Sequence, residues 1–323
     1  MSIIPINPVP IVSVLVLAFN HETYIAQTIE SILGQMVDFD IEIIIGEDFS
    51  TDRTNQICAE YCEKFSGVVT LVASEQNVGM HENLARIWQR ARGEYIALCE
   101  GDDYWCHTGK LASQVAFLDA HPSYSLCGTY TKRIKQDADG EWAEAGRIGP
   151  PAVKDAYYLK DLIPDYCFHT SSVLVRKNAV RFPPWFQQMY CADRPLYLLC
   201  AEQGPAGFIP EVMSTYRLHG GGIWSPVTLL AKSEKSRDLF ETLDRHFGYR
   251  YHRLITRTLG NILWSYMAEA VVAADLPTAK RLFWQASSYF LKSGRVDMLR
   301  HWSVAVLRLY LPGAYTLLKS RAV

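Results

Sequence analysis

The segment Ala97-Leu98-Cys99-Glu100-Gly101-Asp102-Asp103-Tyr104-Trp105 places three carboxylates within four residues, directly after an apolar run. Like charges this close repel and resist desolvation, so the cluster requires a cation or an exposed position. Two further polar clusters follow apolar runs of the same kind: Asn20-His21-Glu22 after residues 12–18, and Glu47-Asp48 after residues 41–45. Hard cations such as Mn²⁺ and Mg²⁺ take few protein carboxylates and share the phosphate oxygens of a ligand. Brought to one rim, the three clusters would seat a nucleotide diphosphate held by Mn²⁺ or Mg²⁺.

The elements that must position them are read from periodicity. Residues 12–18 form a fully apolar strand, followed by a helical pattern through Ile25, Ile29, Ile32 and Leu33. The alternation repeats as strand 41–45, helix 52–65, strand 68–73, helix 82–92 and strand 95–99, then helix 110–121 and strand 124–134. Continuous apolar strands separated by helices predict a mainly parallel sheet covered on both faces, with ligands bound at the carboxyl ends of the strands. Residues 136–149 are polar and predict a hairpin or loop; 170–176 reads as a strand, 193–203 as a helix and 212–218 as a short strand. From residue 226 onward the pattern is helical, and Gly220-Gly221-Gly222 marks the change. The chain therefore divides into a catalytic domain over 1–225 and a helical C-terminal extension over 226–323.

Composition narrows the class. The 323 residues are 49% hydrophobic, enough for a substantial core. The net charge of -2 conceals 17 Lys/Arg against 27 Asp/Glu in residues 1–225, and 15 against 7 beyond, a front at -10 and a tail at +8. The eight cysteines show no CxxC pair or zinc spacing and read as reduced thiols of a cytoplasmic protein. No Lys or Arg precedes Arg53, so the first apolar run lacks the basic flank of a signal peptide and is too short to span a bilayer. A dinucleotide-dependent oxidoreductase would need a glycine-rich turn where this chain has "AFNHETYI", and a nucleotidyltransferase a Gly-rich basic loop near its start.

Four segments, in order, resemble the GT-A fold glycosyltransferases of the large inverting family two: "VSVLVLAFNHETYI", "EIIIGEDFSTDRT", "EQNVGMHENLARIWQRARGEYIALCEGDDYW" and "YRLHGGGIWS". The resemblance covers roughly residues 10–225 and implies a Rossmann-like α/β domain that transfers a sugar from a nucleotide diphosphate sugar, most simply a UDP-sugar, to a glycan or lipid-linked acceptor. It implies that Asp48 contacts the uracil or ribose, with Ala18 and Asn20 lining the base pocket and Glu47 standing where the family carries Asp. Glu100 and Gly101 open the DxD motif on the nucleotide side, and Asp102 binds the metal. His219 reaches the metal or diphosphate from the opposite side, while Asp103, Arg217 and Trp224 face donor or acceptor. "CADRPLYLLCAEQG" resembles the segment supplying the catalytic base, which makes Asp193 the group that removes the acceptor proton. His169, Ser171 and Ser172 could line the acceptor cleft. Bacterial surface polysaccharide assembly is the implied setting, at the inner face of the cell membrane.

Plainer roles exist for each residue. Asp102, Asp103 and Asp193 can cap helices, His219 can be a hydrogen-bonded structural imidazole, and the glycines a linker. A non-catalytic sugar-nucleotide-binding or scaffold protein of the same fold is the competing reading. Neither the transmembrane helices nor the Gln-x-x-Arg-Trp motif of processive polymerases is present. Residues 300–321 mix Arg and Lys with Trp, Tyr and Leu, a composition suited to packing, to a homo-oligomer contact or to peripheral membrane contact. Nothing calls for nucleic acid.

Overall fold

The computed structural model describes residues 9–137, 139–220, 227–294 and 299–310. It divides into two compact units, residues 1–222 and 223–323. In the first, β1 (Val12–Ala18), β2 (Ile41–Glu47), β3 (Val69–Ala73) and β4 (Tyr95–Glu100) alternate with α1 (Ile25–Leu33), α2 (Thr54–Lys64) and α3 (Met80–Arg90). There follow β5 (Tyr104–Trp105), α4 (Lys110–Ala120), β6 (Leu126–Gln136), β7 (Trp142–Ile148), α5 (Leu159–Leu162), β8 (Leu174–Arg176), α6 (Asp193–Gln203) and β9 (Ala206–Leu218).

All nine strands join one sheet of order β3-β2-β1-β4-β8-β6-β9-β5, with β7 paired to β6. The first four strands are parallel, as the alternating pattern predicts. Beyond β4 the sheet is mixed: β8 runs antiparallel to both β4 and β6, β7 to β6 and β5 to β9, while β6 and β9 are parallel. The expectation of a mainly parallel sheet is corrected to this extent. The physical reason is local: the polar stretch after β6 closes a hairpin instead of a crossover helix, and β5 is a two-residue edge too short to carry a hydrophobic signal.

Val12, Val14, Val16 and Ala18 face Ile25, Ile29 and Ile32 of α1 and Leu111 and Leu118 of α4 in one continuous core. Each of these valine, isoleucine and leucine side chains contributes about 1.5–3 kcal/mol on burial. The spacing 25, 29, 32 puts the three isoleucines on one helical face. The other face of β1 and β2 is covered by α3, through buried Leu84 and Ile87.

The second unit comprises α7 (Leu229–His246), α8 (His252–Val272), α9 (Leu276–Lys292) and α10 (Leu299–Tyr310). Leu243, Ile255, Leu259, Leu282 and Phe290 are buried in it. Gly260 admits the Phe290 ring, since a Cβ there would lie 2.7 Å from it. Of residues 300–321, those up to Tyr310 form α10, in which Trp302 meets Phe283 and Leu309 is buried, and 311–321 lie outside the described residues. No helix among the described residues is long and apolar enough to cross a membrane.

Candidate active site

Register brings the three polar clusters to one edge. Ala18 pairs with Glu47, and Leu17 with Glu100, so the carboxyl ends of β1, β2 and β4 open side by side.

On the β1–β2 side, Asn20 adopts a left-handed backbone (φ 55°), and its Oδ1 accepts from Thr51 N at 2.9 Å. Glu47 is buried and tied down at both oxygens, accepting from Ser50 N at 2.7 Å and Asn55 Nδ2 at 2.8 Å. Asp48 is buried too. Its amide donates to Ala18 O at 3.0 Å, while its carboxylate accepts from Val78 N at 2.8 Å and Gly79 N at 2.9 Å. Both carboxylates thus build the turns of this rim. Phe49, which the motifs did not single out, is 50% exposed and held at φ 63°, a costly conformation for a bulky side chain.

The turn after β4 is braced from beneath. Thr28 Oγ1 donates to the carbonyls of Gly101 and Asp103 at 2.9 and 2.6 Å. Gly101 leaves room for His21, whose Nδ1 would lie 2.6 Å from any Cβ there. Asp102 Oδ2 consequently meets two imidazoles, His219 Nε2 at 3.0 Å and His21 Nε2 at 3.6 Å. Burial pushes the Asp102 carboxyl upward, but the His219 hydrogen bond and the two imidazoles outweigh it and leave it below its ordinary value. Glu100 goes the other way: burial first, then the charges of Asp102 and Asp193, raise it to about 8.

Asp103 and Arg217 turn inward. Asp103 is 1% exposed, accepts from Arg217 N at 3.2 Å, and is raised well above its ordinary value chiefly by burial. Its Oδ2 has no hydrogen-bond partner and lies 3.5 Å from His169 Nδ1. The Arg217 guanidinium is sandwiched by the Tyr24 and Tyr104 rings and donates to Asp102 O and Gln27 Oε1. These two residues hold β9 against the acidic turn. Trp224 lies outside the described residues, as do Gly221 and Gly222.

Asp193 opens α6, as its sequence position predicts. Its Oδ1 accepts from Arg194 N at 2.7 Å, and its Oδ2 from Tyr166 OH. Its charge acts on Glu100, His169 and His81, so the candidate base and the acidic turn share one site. His169 is buried, its Nδ1 2.9 Å from Ser171 Oγ and its ring centroid 4.4 Å from that of Tyr216. Ser171 and Ser172 are fully buried, and His169 faces the carboxylate of Asp103. Tyr166 and His81 had no signal in the sequence. His21 stood in a recognised polar turn, but only the pairing of Leu17 with Glu100 puts it on Asp102.

Among the described residues no three His, Cys, Asp or Glu side chains form a ready metal cage. Asp102 and His219 supply one oxygen and one nitrogen. That set fits a divalent cation that draws its remaining ligands from a diphosphate.

The sequence model of Glycosyl transferase family 2 matches residues 13–181. The uncharacterized protein Rv1520 of Mycobacterium tuberculosis is 32% identical over 216 residues, 66% of this chain and 60% of its own length. The minor teichoic acid biosynthesis protein GgaB of Bacillus subtilis is 32% identical over 227 residues, covering 69% of this chain and 24% of GgaB. Two solved structures share the fold. Mannosyltransferase PcManGT of Pyrobaculum calidifontis, in complex with GDP-Man and Mn²⁺, superimposes with TM-score 0.56 at 17% identity over 93% of this chain and 87% of its own. S. aureus TarS 1-349, in complex with UDP-GlcNAc, does so with TM-score 0.54 at 18% identity over 91% and 90%. The match of the family model over more than half of the chain, on a GT-A-like mixed sheet, makes this chain a member of glycosyl transferase family 2.

Proposed function

We propose that the chain transfers one sugar, with inversion, from a nucleotide diphosphate sugar to a glycan or lipid-linked acceptor in bacterial surface polysaccharide assembly. The observation that carries this reading is the Asp102–His219 pair at 3.0 Å on the same site as Asp193, whose carboxylate already accepts a hydroxyl, that of Tyr166. An acceptor hydroxyl presented in the same way would lose its proton to Asp193 as its oxygen attacks the anomeric carbon from the face opposite the leaving diphosphate. Tyr166 and the Arg194 amide orient that carboxylate. Bound at Asp102 and His219, Mn²⁺ or Mg²⁺ would act as a Lewis acid on the diphosphate. His21 holds the Asp102 carboxylate toward that position, and neutral Glu100 keeps the neighbourhood from accumulating a third charge. Asn20 and exposed Phe49 would frame the nucleoside.

The setting is supported by GgaB, named for teichoic acid biosynthesis. The donor class is supported by TarS with UDP-GlcNAc and PcManGT with GDP-Man. UDP-sugars are the first to test and GDP-sugars the second arm. Nucleotide release is measured from both, with and without Mn²⁺ and candidate acceptors, for the parent and Asp102→Asn. The reading expects acceptor-dependent release that chelator abolishes and Asp102→Asn lowers at least about 10²-fold. Full activity in excess chelator would contradict it.

A further inference from the structure

The second unit carries a feature that sugar transfer does not use. Residues 245–257, "RHFGYRYHRLITR", contain four arginines and two histidines and no carboxylate. They form the turn between α7 and α8, where Gly248 (φ 57°) and Tyr249 (φ 61°) reverse the chain with two successive left-handed residues. Arg245, Arg250, Arg253 and Arg257 are all exposed. Arg253 and Arg257 lie one turn apart on α8, and Arg250 lies in the turn that leads into it, its guanidinium over the Tyr251 ring. None of the three has a carboxylate partner among the described residues. Arg245 donates to the Thr242 hydroxyl, and the neighbouring carboxylate, Asp244, is buried and bonded to His252 Nδ1 at 2.6 Å. The amino end of the 21-residue α8 adds its partial positive charge to the same place.

Tyr249 stands at this tip, 60% exposed. A left-handed tyrosine costs backbone energy, and here the ring covers no core. We propose that the α7–α8 turn docks the protein on an anionic lipid bilayer, the arginines meeting head-group phosphates and Tyr249 entering the boundary between head groups and acyl chains. Amphipathic aromatics flanked by cations suit that boundary. A soluble inorganic polyanion such as polyphosphate would be met by the arginines alone and leaves Tyr249 without a role. The position also places the contact in α7–α8 and not in α10, which turns Trp302 and Leu309 toward its own unit.

Sedimentation of the full chain with vesicles of phosphatidylcholine, with and without phosphatidylglycerol, tests this at low ionic strength. Binding is expected only to the anionic vesicles, and salt should weaken it. Each arginine near such a surface is worth about fivefold, so R250Q/R253Q/R257Q should lower partitioning about 10²-fold, while the corresponding all-lysine variant retains it. Tyr249→Asn, which tolerates the left-handed backbone, should lower it by a smaller factor that salt does not change. Equal binding to both vesicle types, or unchanged binding of the triple glutamine variant, would overturn the proposal. So would retention by inorganic polyphosphate with no vesicle binding, which would assign the patch to a soluble polyanion.

Discussion

At His169 the fold keeps an imidazole neutral beside groups that would charge it. Burial lowers the ring from its ordinary 6.5 to about 4, against the opposing pull of Asp193 and Asp102. Between those values the unfolded chain binds a proton that the folded chain refuses, so stability is full above pH 6.5 and falls as pH drops toward 4. Over that window the loss is up to about 3 kcal/mol, at about 1.4 kcal/mol per unit. His169→Gln should flatten the dependence, measured by urea unfolding between pH 4 and 7 without nucleotide; an unchanged slope would show that other groups set it. Asp102, His219 and Asp193 stood out as candidates in the sequence because they sit inside ordered motifs. Their partners were not. Tyr166 reaches Asp193 from 27 residues away, and His21 reaches Asp102 through strand register, neither of which spacing along the chain encodes.

At the scale of elements, Asp48 ties β2 to the start of α3 by accepting two amides. Asp48→Asn puts an NH₂ against an amide donor, so one bond is lost and one donor left unsatisfied. A destabilisation of about 1–3 kcal/mol is expected, read as a lowered Tm without nucleotide. A Tm equal to the parent's would free Asp48 for the ligand-contacting role that the family resemblance implies. The alternating strands and helices up to β4 were legible because both faces are buried and the strands are uniformly apolar. Residues 170–176 were not: "TSSVLVR" reads as one strand, yet Thr170–Ser172 is a 3-10 turn and only Leu174–Arg176 is strand. Ser172 Oγ donates to His169 O at 2.8 Å, and that local bond outweighs β propensity. Residues 136–149 read as a hairpin or a loop, and the Trp142–Ile148 strand makes them a hairpin; its mostly exposed residues show no alternation that would have decided between the two.

For the whole molecule, the division into residues 1–222 and 223–323 means that each unit buries its own core. A chain ending at residue 222 should therefore fold and bind nucleotide with an affinity within about threefold of the full chain, as calorimetry would show; an unfolded product would mean that the helical unit completes the first core. Charge composition disclosed the contrast between an acidic front and a basic tail, and the fold adds that the four arginines of residues 245–257 are exposed around the α7–α8 turn. In the proposed reaction the acidic turn seats the donor while Asp193 performs the proton transfer. Nucleotide affinity and sugar transfer measured on one preparation of Asp193→Asn test it most directly. Affinity should stay within about threefold and transfer fall at least about 10²-fold. Transfer at nearly the parent rate, with the acceptor bound normally, would contradict the account.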